Sequence, residues 1–200
     1  MKIPAVKMPR RYKKEDSLPN DPPHSAAYAY RTPGAECFAL AYPVPETQTM
    51  PFDDPRQVIH GIHDALGEDQ GLIEVENGVT AAGRPFIYSI IKTLQKQGGV
   101  QYYLRMNIRH PHCVLQVQAF FDEMGTTGVR DSMVYLLLSR QGSVRTTENG
   151  LEGWSEDPYD PNYTRGVCMN RAERKEYDSQ FPNHPLSEMR AFAAELISLN

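Results

Sequence analysis

Three successive segments in the middle of the chain alternate between apolar and polar side chains, and this alternation restricts the fold more than any other feature. They cover residues 86–96, 100–109 and 113–121. In the second segment the even positions carry the apolar side chains, which are Val100, Tyr102, Leu104, Met106 and Ile108. The odd positions carry the more polar ones, which are Gln101, Tyr103, Arg105, Asn107 and Arg109. A side-chain period of two with one apolar side predicts strands that bury one face.

Short turn sequences separate these three segments. Gly98-Gly99 supplies the positive φ angles of a tight hairpin turn. Pro111 interrupts the alternation, because proline cannot donate a hydrogen bond to a neighbouring strand. Strands joined by such short turns pair in antiparallel order, so the sequence predicts a three-stranded meander.

Earlier parts of the chain predict further strands for the same sheet. Residues 26–31 and 36–42 have strand composition, and Pro43 and Pro45 are expected to end the second of them. A hairpin is predicted over residues 71–82, because Asn77-Gly78 is the strongest two-residue hairpin signal. The expected sheet therefore has about five to six strands and is mainly antiparallel.

Two helices are predicted to pack on this sheet. The segment from Thr127 to Arg140 carries residues at spacings of three and four, and we expect it to cover the apolar face. The predicted stripe consists of Val129, Met133, Leu136, Leu137 and Arg140, and Val134 and Leu138 widen it. A second helix begins at Asp54-Pro55, where Asp caps the helix and Pro occupies its first position.

The C-terminal part predicts up to two more helices. Asn170 and Glu173 fit a capping box for a short helix that ends near Tyr177. The last helix starts at Leu186 and places apolar residues on one face. The fold class predicted from the whole pattern is α+β: an antiparallel sheet packed with two to four helices.

Length and composition indicate a single globular domain. The chain has 200 residues, of which 40% are hydrophobic, and this is enough to build one core. Residues 1–24 are basic and rich in proline, so we expect an extended or disordered arm that is solvated or binds an acidic partner or nucleic acid. Residues 25–200 form the predicted domain, with its core in 36–142 and an extension of loop and helix in 143–200.

Charge and hydropathy argue against several classes of protein. The net charge of −4 argues against a general nucleic-acid binder. No run approaches the ~20 apolar residues of a membrane span, and no apolar signal-peptide region follows the first residues. Three cysteines, an odd number, are expected to be reduced thiols, so a cytoplasmic location is predicted.

No motif for catalysis or for a cofactor stands out, and we predict neither a metal nor a cofactor. His60 with His63, and His110 with His112 and Cys113, are close in sequence but have no second ligand cluster. A hydrolase-type enzyme is the alternative, in which Cys168 would act as nucleophile if a histidine such as His184 folded beside it. The pattern as a whole favours a protein that binds and does not catalyse.

The polar face of the sheet is the candidate binding surface. The predicted binding residues are Tyr103, Arg105, Asn107 and Arg109 from the sheet, with Trp154 and Tyr159 from a loop at its edge. Arginines with a tyrosine and several amides are suited to a small anionic ligand or to a protein partner, which are the two predicted kinds of partner. An assembly subunit, such as a homodimer, is a further alternative, which the half-apolar strand at Phe86 and the apolar residues Val114 and Phe120 would support.

The order of these elements resembles the Mog1/PsbP-like fold over residues 36–142. The resemblance lies in a strand ending at Tyr42-Pro43, a helix, a long meander and a helix after Gly125. It implies a sandwich of helices and sheet, and an accessory or binding role. The tail, with Asp157-Pro158-Tyr159-Asp160-Pro161 and Phe181-Pro182-Asn183-His184-Pro185, resembles tails of bacterial proteins without an assigned function.

Overall fold

The computed structural model describes residues 6–96, 98–148 and 150–200. The described elements are β1 (Lys13–Glu15), β2 (Ala26–Arg31), β3 (Ala35–Val44), α1 (Pro55–Ala65), β4 (Gln70–Val79), β5 (Pro85–Leu94), β6 (Val100–His110), β7 (Cys113–Glu123), α2 (Val129–Arg140), β8 (Arg145–Thr147), β9 (Gly150–Glu152) and α3 (Pro185–Leu199). Short 3₁₀ turns occupy Glu46–Gln48, Arg171–Glu173 and Lys175–Tyr177.

Seven of the strands form one sheet in the order β1-β2-β3-β7-β6-β5-β4. Every neighbouring pair is antiparallel, and the predicted meander β5-β6-β7 lies within it. Leu104 of β6 stands between Ile90 and Ala119, so the three strands share one apolar face. The α+β class and the antiparallel sheet are confirmed, but the sheet has more strands than the five to six predicted.

The hairpin predicted at Asn77-Gly78 is wrong. β4 runs through both residues, which pair with β5, and the chain turns between Thr80 and Arg84. Gly78 fits within the strand because the ring of Phe86 lies over it, 3.2 Å from where a Cβ atom would be. β3 also continues past its predicted end, since Pro43 lies inside it.

The apolar face of the sheet is covered by α3 and not by α2. The buried residues of α3 join the apolar side chains of β6 and β7 in the largest core cluster: Leu186, Met189, Phe192, Ala193 and Leu196. Full burial of a side chain of this size contributes about 1.5–3 kcal/mol. The predicted apolar face of the last helix is therefore the one that closes the core.

α2 begins after Gly128 and buries one edge of the predicted stripe rather than its centre. Its Met133 and Leu136 are 59% and 51% exposed. Val134 and Leu138 are buried instead, against Ala172 and other residues of the C-terminal segment. The expectation that α2 covers the sheet is therefore wrong, because the C-terminal segment supplies its buried partners.

Residues 6–15 pack against the domain, which differs from the solvated arm predicted for residues 1–24. Val6 and Tyr12 are buried in the main core, and β1 pairs with β2. The side chain of Asn200 also accepts a hydrogen bond from the Lys7 backbone N–H (2.9 Å) and so joins the two ends of the described chain. The first five residues of the predicted arm lie outside the described residues.

α1 lies on the opposite face of the sheet, the polar one. Asp54 caps it by accepting a hydrogen bond from the Gln57 backbone N–H (3.0 Å), and Pro55 opens its first turn, as predicted. Val58 of α1 packs against Ile87 of β5 in a second, smaller core cluster. Helices therefore cover parts of both faces of the sheet, and the partial cover on the polar face positions the candidate site.

Candidate functional site

A cleft of about 660 Å³ opens between α1 and the polar face of the sheet. Its helical wall consists of Met50, Pro51, Gln57, Val58, Gly61, Ile62, Ala65 and Leu66. Its sheet wall consists of Gln70, Ser89, Ile91, Thr93, Gln101, Tyr103, Arg105 and Phe120. A volume in this range, with mostly apolar walls and a few polar groups, is typical of small-molecule sites.

Arg105 is the one charged side chain among the described residues that line the cleft. Its Nε donates to Oε1 of Gln116 (3.1 Å), and its Nη2 donates to the Gln48 carbonyl (2.8 Å). The ion pairs within the described ranges do not include Arg105. The guanidinium is therefore held in place by neutral acceptors and keeps its positive charge uncompensated.

Tyr103 and Phe120 form an aromatic surface beside Arg105. Their rings stack with centroids 4.9 Å apart and an angle of 29° between the planes. Burial raises the pKa of Tyr103 to about 12, although the charge of Arg105 opposes this shift. The phenol therefore stays protonated at neutral pH and can donate a hydrogen bond.

Asn107 has a structural position, in contrast to the exposed binding role predicted for it. It is fully buried. Its Oδ1 accepts from the Met50 backbone N–H (3.3 Å) and its Nδ2 donates to Gln116 (3.2 Å). Asn107 thus ties the loop before α1 to the sheet and aligns Gln116, the residue that also fixes Arg105.

Arg109 lies on the same face but does not line the cleft. Its Nη2 pairs with Oε1 of Glu46 at 2.7 Å, and its guanidinium lies 4.3 Å from the centroid of the Phe52 ring. A carboxylate and an aromatic ring already engage this cation. Of the two arginines predicted for the surface, only Arg105 remains available to a ligand in the cleft.

The loop residues predicted for the site are placed apart from one another. Trp154 packs edge-on against Tyr135 of α2 (5.7 Å between ring centroids), in the cluster that α2 forms with the C-terminal segment. Tyr159 lies at the outer edge of β4, where its hydroxyl accepts from the Val75 N–H (2.6 Å). Neither side chain lines the cleft.

The groups considered for catalysis do not assemble into a catalytic set. Cys168 donates to the Tyr163 carbonyl (3.5 Å), and burial raises the pKa of its thiol, which disfavours the thiolate that attacks substrates. His184 lies instead at the start of α3, next to Arg130. His63 pairs with Asp157 through its Nε2 (2.9 Å), and this buried contact pins the 157–163 loop to α1.

His110, near the β6–β7 turn, also has another partner. The ring of His110 contacts the guanidinium of Arg84, and burial together with the charge of Arg84 lowers the pKa of His110. Within residues 6–96, 98–148 and 150–200, no three His, Cys, Asp or Glu side chains lie close enough to share a metal ion.

None of the described helices is long and apolar enough to cross a membrane.

The helical wall of the cleft is the part of the site that sequence reasoning missed. Periodicity assigns Ile62 and Leu66 to a stripe that packs on the sheet, and they do face it, but they stand back far enough to leave the cleft. Gly61 is the residue of the sequence that indicates open space beside α1, because a Cβ atom there would meet nothing beyond its own helix within 4 Å. A glycine in the middle of a helix costs about 0.5–1 kcal/mol relative to alanine, so helix stability alone does not account for it.

No family model and no curated protein matches the chain. Several solved structures are similar to it, three of which follow. Protein PA94 of unknown function from Pseudomonas aeruginosa is 11% identical with a TM-score of 0.39, covering 66% of this chain and 93% of its own. PsbP (CyanoP) from Synechocystis sp. PCC 6803 is 14% identical with a TM-score of 0.35, covering 68% and 81%. LpqN from Mycobacterium tuberculosis, involved in cell envelope biogenesis, is 12% identical with a TM-score of 0.37, covering 68% and 77%.

A PsbP structure is thus among the similar structures. Because no family model matches, the resemblance to the Mog1/PsbP-like fold stays a prediction. Identities and scores at this level transfer no function, so the function of this chain has to be inferred from the geometry of its own cleft.

Proposed function

We propose that this protein binds a small molecule in the cleft between α1 and the sheet, and that it does not transform it. The observation that carries the proposal is the cleft itself, a space of about 660 Å³ with apolar walls and one cation whose charge no described carboxylate offsets. Binding sites combine such walls with a few placed polar groups. The described residues that line the cleft include no nucleophile paired with a base, which favours binding over catalysis.

The test fills the cleft without removing any contact that the protein makes. In Gly61→Phe the new ring enters open space, since no described atom apart from the two chain neighbours and the backbone of α1 lies within 4 Å of the Cβ position. His60→Phe adds the same ring on the neighbouring, exposed residue, which does not line the cleft. The neutral dye Nile red, whose emission rises in an apolar site, reports on binding.

We expect one equivalent of Nile red to bind to the unmodified chain and to His60→Phe with equal affinity. Gly61→Phe should weaken binding by about tenfold or more, because the ring occupies the volume that the dye needs. Circular dichroism and thermal unfolding establish that each variant is folded. Equal dye affinity in a folded Gly61→Phe variant would show that the cleft is not the binding site.

A further inference from the structure

We infer that the ligand of the cleft is a small monocarboxylate with an apolar body, whose acid group Arg105 holds; this rests on the proposed function. The hydrogen bonds of the guanidinium support this assignment. Of its five N–H groups, two donate to Gln116 and to the Gln48 carbonyl, and three remain without an acceptor in the described part of the chain. Both N–H groups of Nη1 are among the three, so Nη1 and Nη2 together present an edge for two carboxylate oxygens.

The two protein acceptors also fix the orientation of Arg105 before a ligand arrives. Gln116 is itself held, because Asn107 donates to the same Oε1 atom (3.2 Å) and the amide nitrogen of Gln116 donates to the Tyr42 hydroxyl. A guanidinium immobilised in this way loses little side-chain entropy when it binds an anion. Because both acceptors are neutral, they orient the guanidinium and leave its positive charge in place. A carboxylate partner would cancel that charge.

The number of cations limits the charge of the ligand. Arg105 is alone among the described lining residues in carrying a charge, and Arg109 is engaged by Glu46 (2.7 Å). The chain as a whole carries a net charge of −4. A nucleotide or another polyanion would place further negative charges in the cleft without a second lining cation to meet them, whereas one carboxylate is matched by one guanidinium.

The remaining walls select an apolar body rather than a second polar group. Ile62 and Leu66 face the stacked rings of Tyr103 and Phe120 across the cleft. Apolar surface that leaves water in this space contributes affinity in proportion to its area. A ligand with an aryl or alkyl body next to its acid group therefore satisfies both the charge and the walls.

The test compares matched ligands that differ in charge but not in shape. Phenylalkyl and alkyl carboxylates of increasing length are each paired with the amide of the same acid, and all compete with Nile red at pH 7 in the full chain. Inorganic phosphate is the anion without an apolar body. Arg105→Gln removes the charge while keeping a polar side chain, and Arg105→Lys keeps the charge without the two-pronged geometry.

We expect the best carboxylate to displace the dye about tenfold or more better than its amide, because the amide loses the charge-assisted contact. In Arg105→Gln the carboxylate and its amide should bind alike, and Arg105→Lys should restore part of the preference. Carboxylate affinity should also fall once the pH drops below the pKa of the free acid. These changes separate charge recognition from general damage to the fold.

The results distinguish the inference from the function on which it rests. If amides compete as well as carboxylates, or if phosphate competes as well as the best carboxylate, the inference is wrong and the cleft remains a binding site. If the dye binds but no carboxylate of the panel displaces it, the ligand class is likewise refuted. If Nile red itself binds equally in Gly61→Phe, the proposed function fails instead.

Discussion

Two partly buried side chains, Asp131 in α2 and His184 at the start of α3, carry pKa shifts of opposite direction. Burial, followed by the neighbouring carboxylate of Glu173, raises the pKa of Asp131 to about 6. Burial, followed by the charges of Arg130 and Arg190, lowers the pKa of His184 to about 3. Both residues help to join α2, the C-terminal segment and α3, so their titration affects the stability of the fold and not the cleft.

Asp131→Asn should stabilise the protein at alkaline pH. The folded-state pKa of Asp131 lies above its ordinary value of 3.8, so the folded protein binds this proton more tightly than the unfolded chain does. The stability that this proton provides is present at low pH and lost as the pH rises through 6. An asparagine can still accept the hydrogen bond that Asn170 donates to Asp131 (2.9 Å).

Chemical denaturation of the Asp131→Asn variant at several pH values measures this difference. We expect the variant to be about 1–3 kcal/mol more stable than the unmodified chain at pH 8, and the two to converge near pH 4. Curves that run parallel at all pH values, or a variant less stable at pH 8, would contradict this account of Asp131.

The loss of stability in acid should depend on His184. Its Nδ1 accepts from the Leu186 backbone N–H (3.3 Å) and lies 3.5 Å from Nη1 of Arg130, so the folded state holds the ring neutral. Because the folded pKa is depressed, this stability is complete above the unfolded pKa of about 6.5 and is lost as the pH falls toward 3. Asparagine is also a good N-cap and leaves no titratable group.

In His184→Asn the fall in unfolding free energy between pH 7 and pH 4 should therefore be smaller by about 2–3 kcal/mol than in the unmodified chain. Unfolding free energies at the two pH values give the comparison, and the same substitution at exposed His60 controls for the loss of a histidine as such. An unchanged slope in His184→Asn would show that other groups cause the acid sensitivity.

Among the elements, α2 shows why periodicity predicts a helix better than it predicts which side is buried. The centre of the predicted stripe and its buried edge, Val134 and Leu138, are both apolar, so the hydrophobic pattern does not decide which of them is buried. Arg130 determines which side of α2 is buried, because it is 1% exposed and donates to the Ala172 and Arg174 carbonyls and to Asp178. These acceptors lie more than forty residues further along the chain, and no local pattern anticipates them.

Leu136→Ala and Leu138→Ala test the orientation of α2 with the same substitution two residues apart. Leu138 is 4% exposed and Leu136 is 51% exposed. Truncation of the buried leucine leaves a cavity, so we expect Leu138→Ala to cost about 2–4 kcal/mol, whereas Leu136→Ala should change stability by about 0.5 kcal/mol or less. Thermal or denaturant unfolding gives both values, and the reverse order would mean that the centre of the predicted stripe is the buried part.

The strands of the meander are far more predictable from the sequence than the site that they carry. Alternation in β6 assigns Tyr103, Arg105 and Asn107 to one face of the sheet, and the register confirms that shared face. Alternation alone does not say how far a helix stands from that face. Whether a polar residue is sealed, as Asn107 is, or lines an opening, as Arg105 does, depends on the packing of α1, which the local pattern does not contain.

In the molecule as a whole, the C-terminal segment links to the sheet through buried charges. Lys92 of β5 pairs with Oε2 of Glu173 (2.7 Å), and the Tyr102 hydroxyl donates to Oε1 of the same carboxylate (2.9 Å). Glu173 also accepts from the Asn170 backbone N–H within the predicted capping box. Removing one partner of a charged pair buried this deeply leaves the other charge unpaired, which strongly destabilises the fold. The C-terminal segment and the sheet therefore depend on each other for stability.

A chain that ends at Gly142 should therefore fail to fold, although residues 36–142 contain the strands and helices of the resemblance. Without α3, the apolar face of the sheet loses Leu186, Met189, Phe192 and Leu196, all fully buried, and Lys92 loses its carboxylate. Loss of a core phenylalanine side chain alone costs about 3–5 kcal/mol, and a typical domain has about 5–15 kcal/mol in total. The cover that α3 provides is therefore comparable to the whole stability of a domain.

We expect no cooperative thermal transition for the chain of residues 1–142, and recovery of one when residues 143–200 are supplied as a separate polypeptide. The intact chain carrying Phe192→Ala serves as the graded control, with a cooperative transition at a lower temperature, because it loses one side chain of the cover and keeps the rest. A cooperative transition of the 1–142 chain near that of the full protein would mean that the sheet and its first two helices are stable without α3.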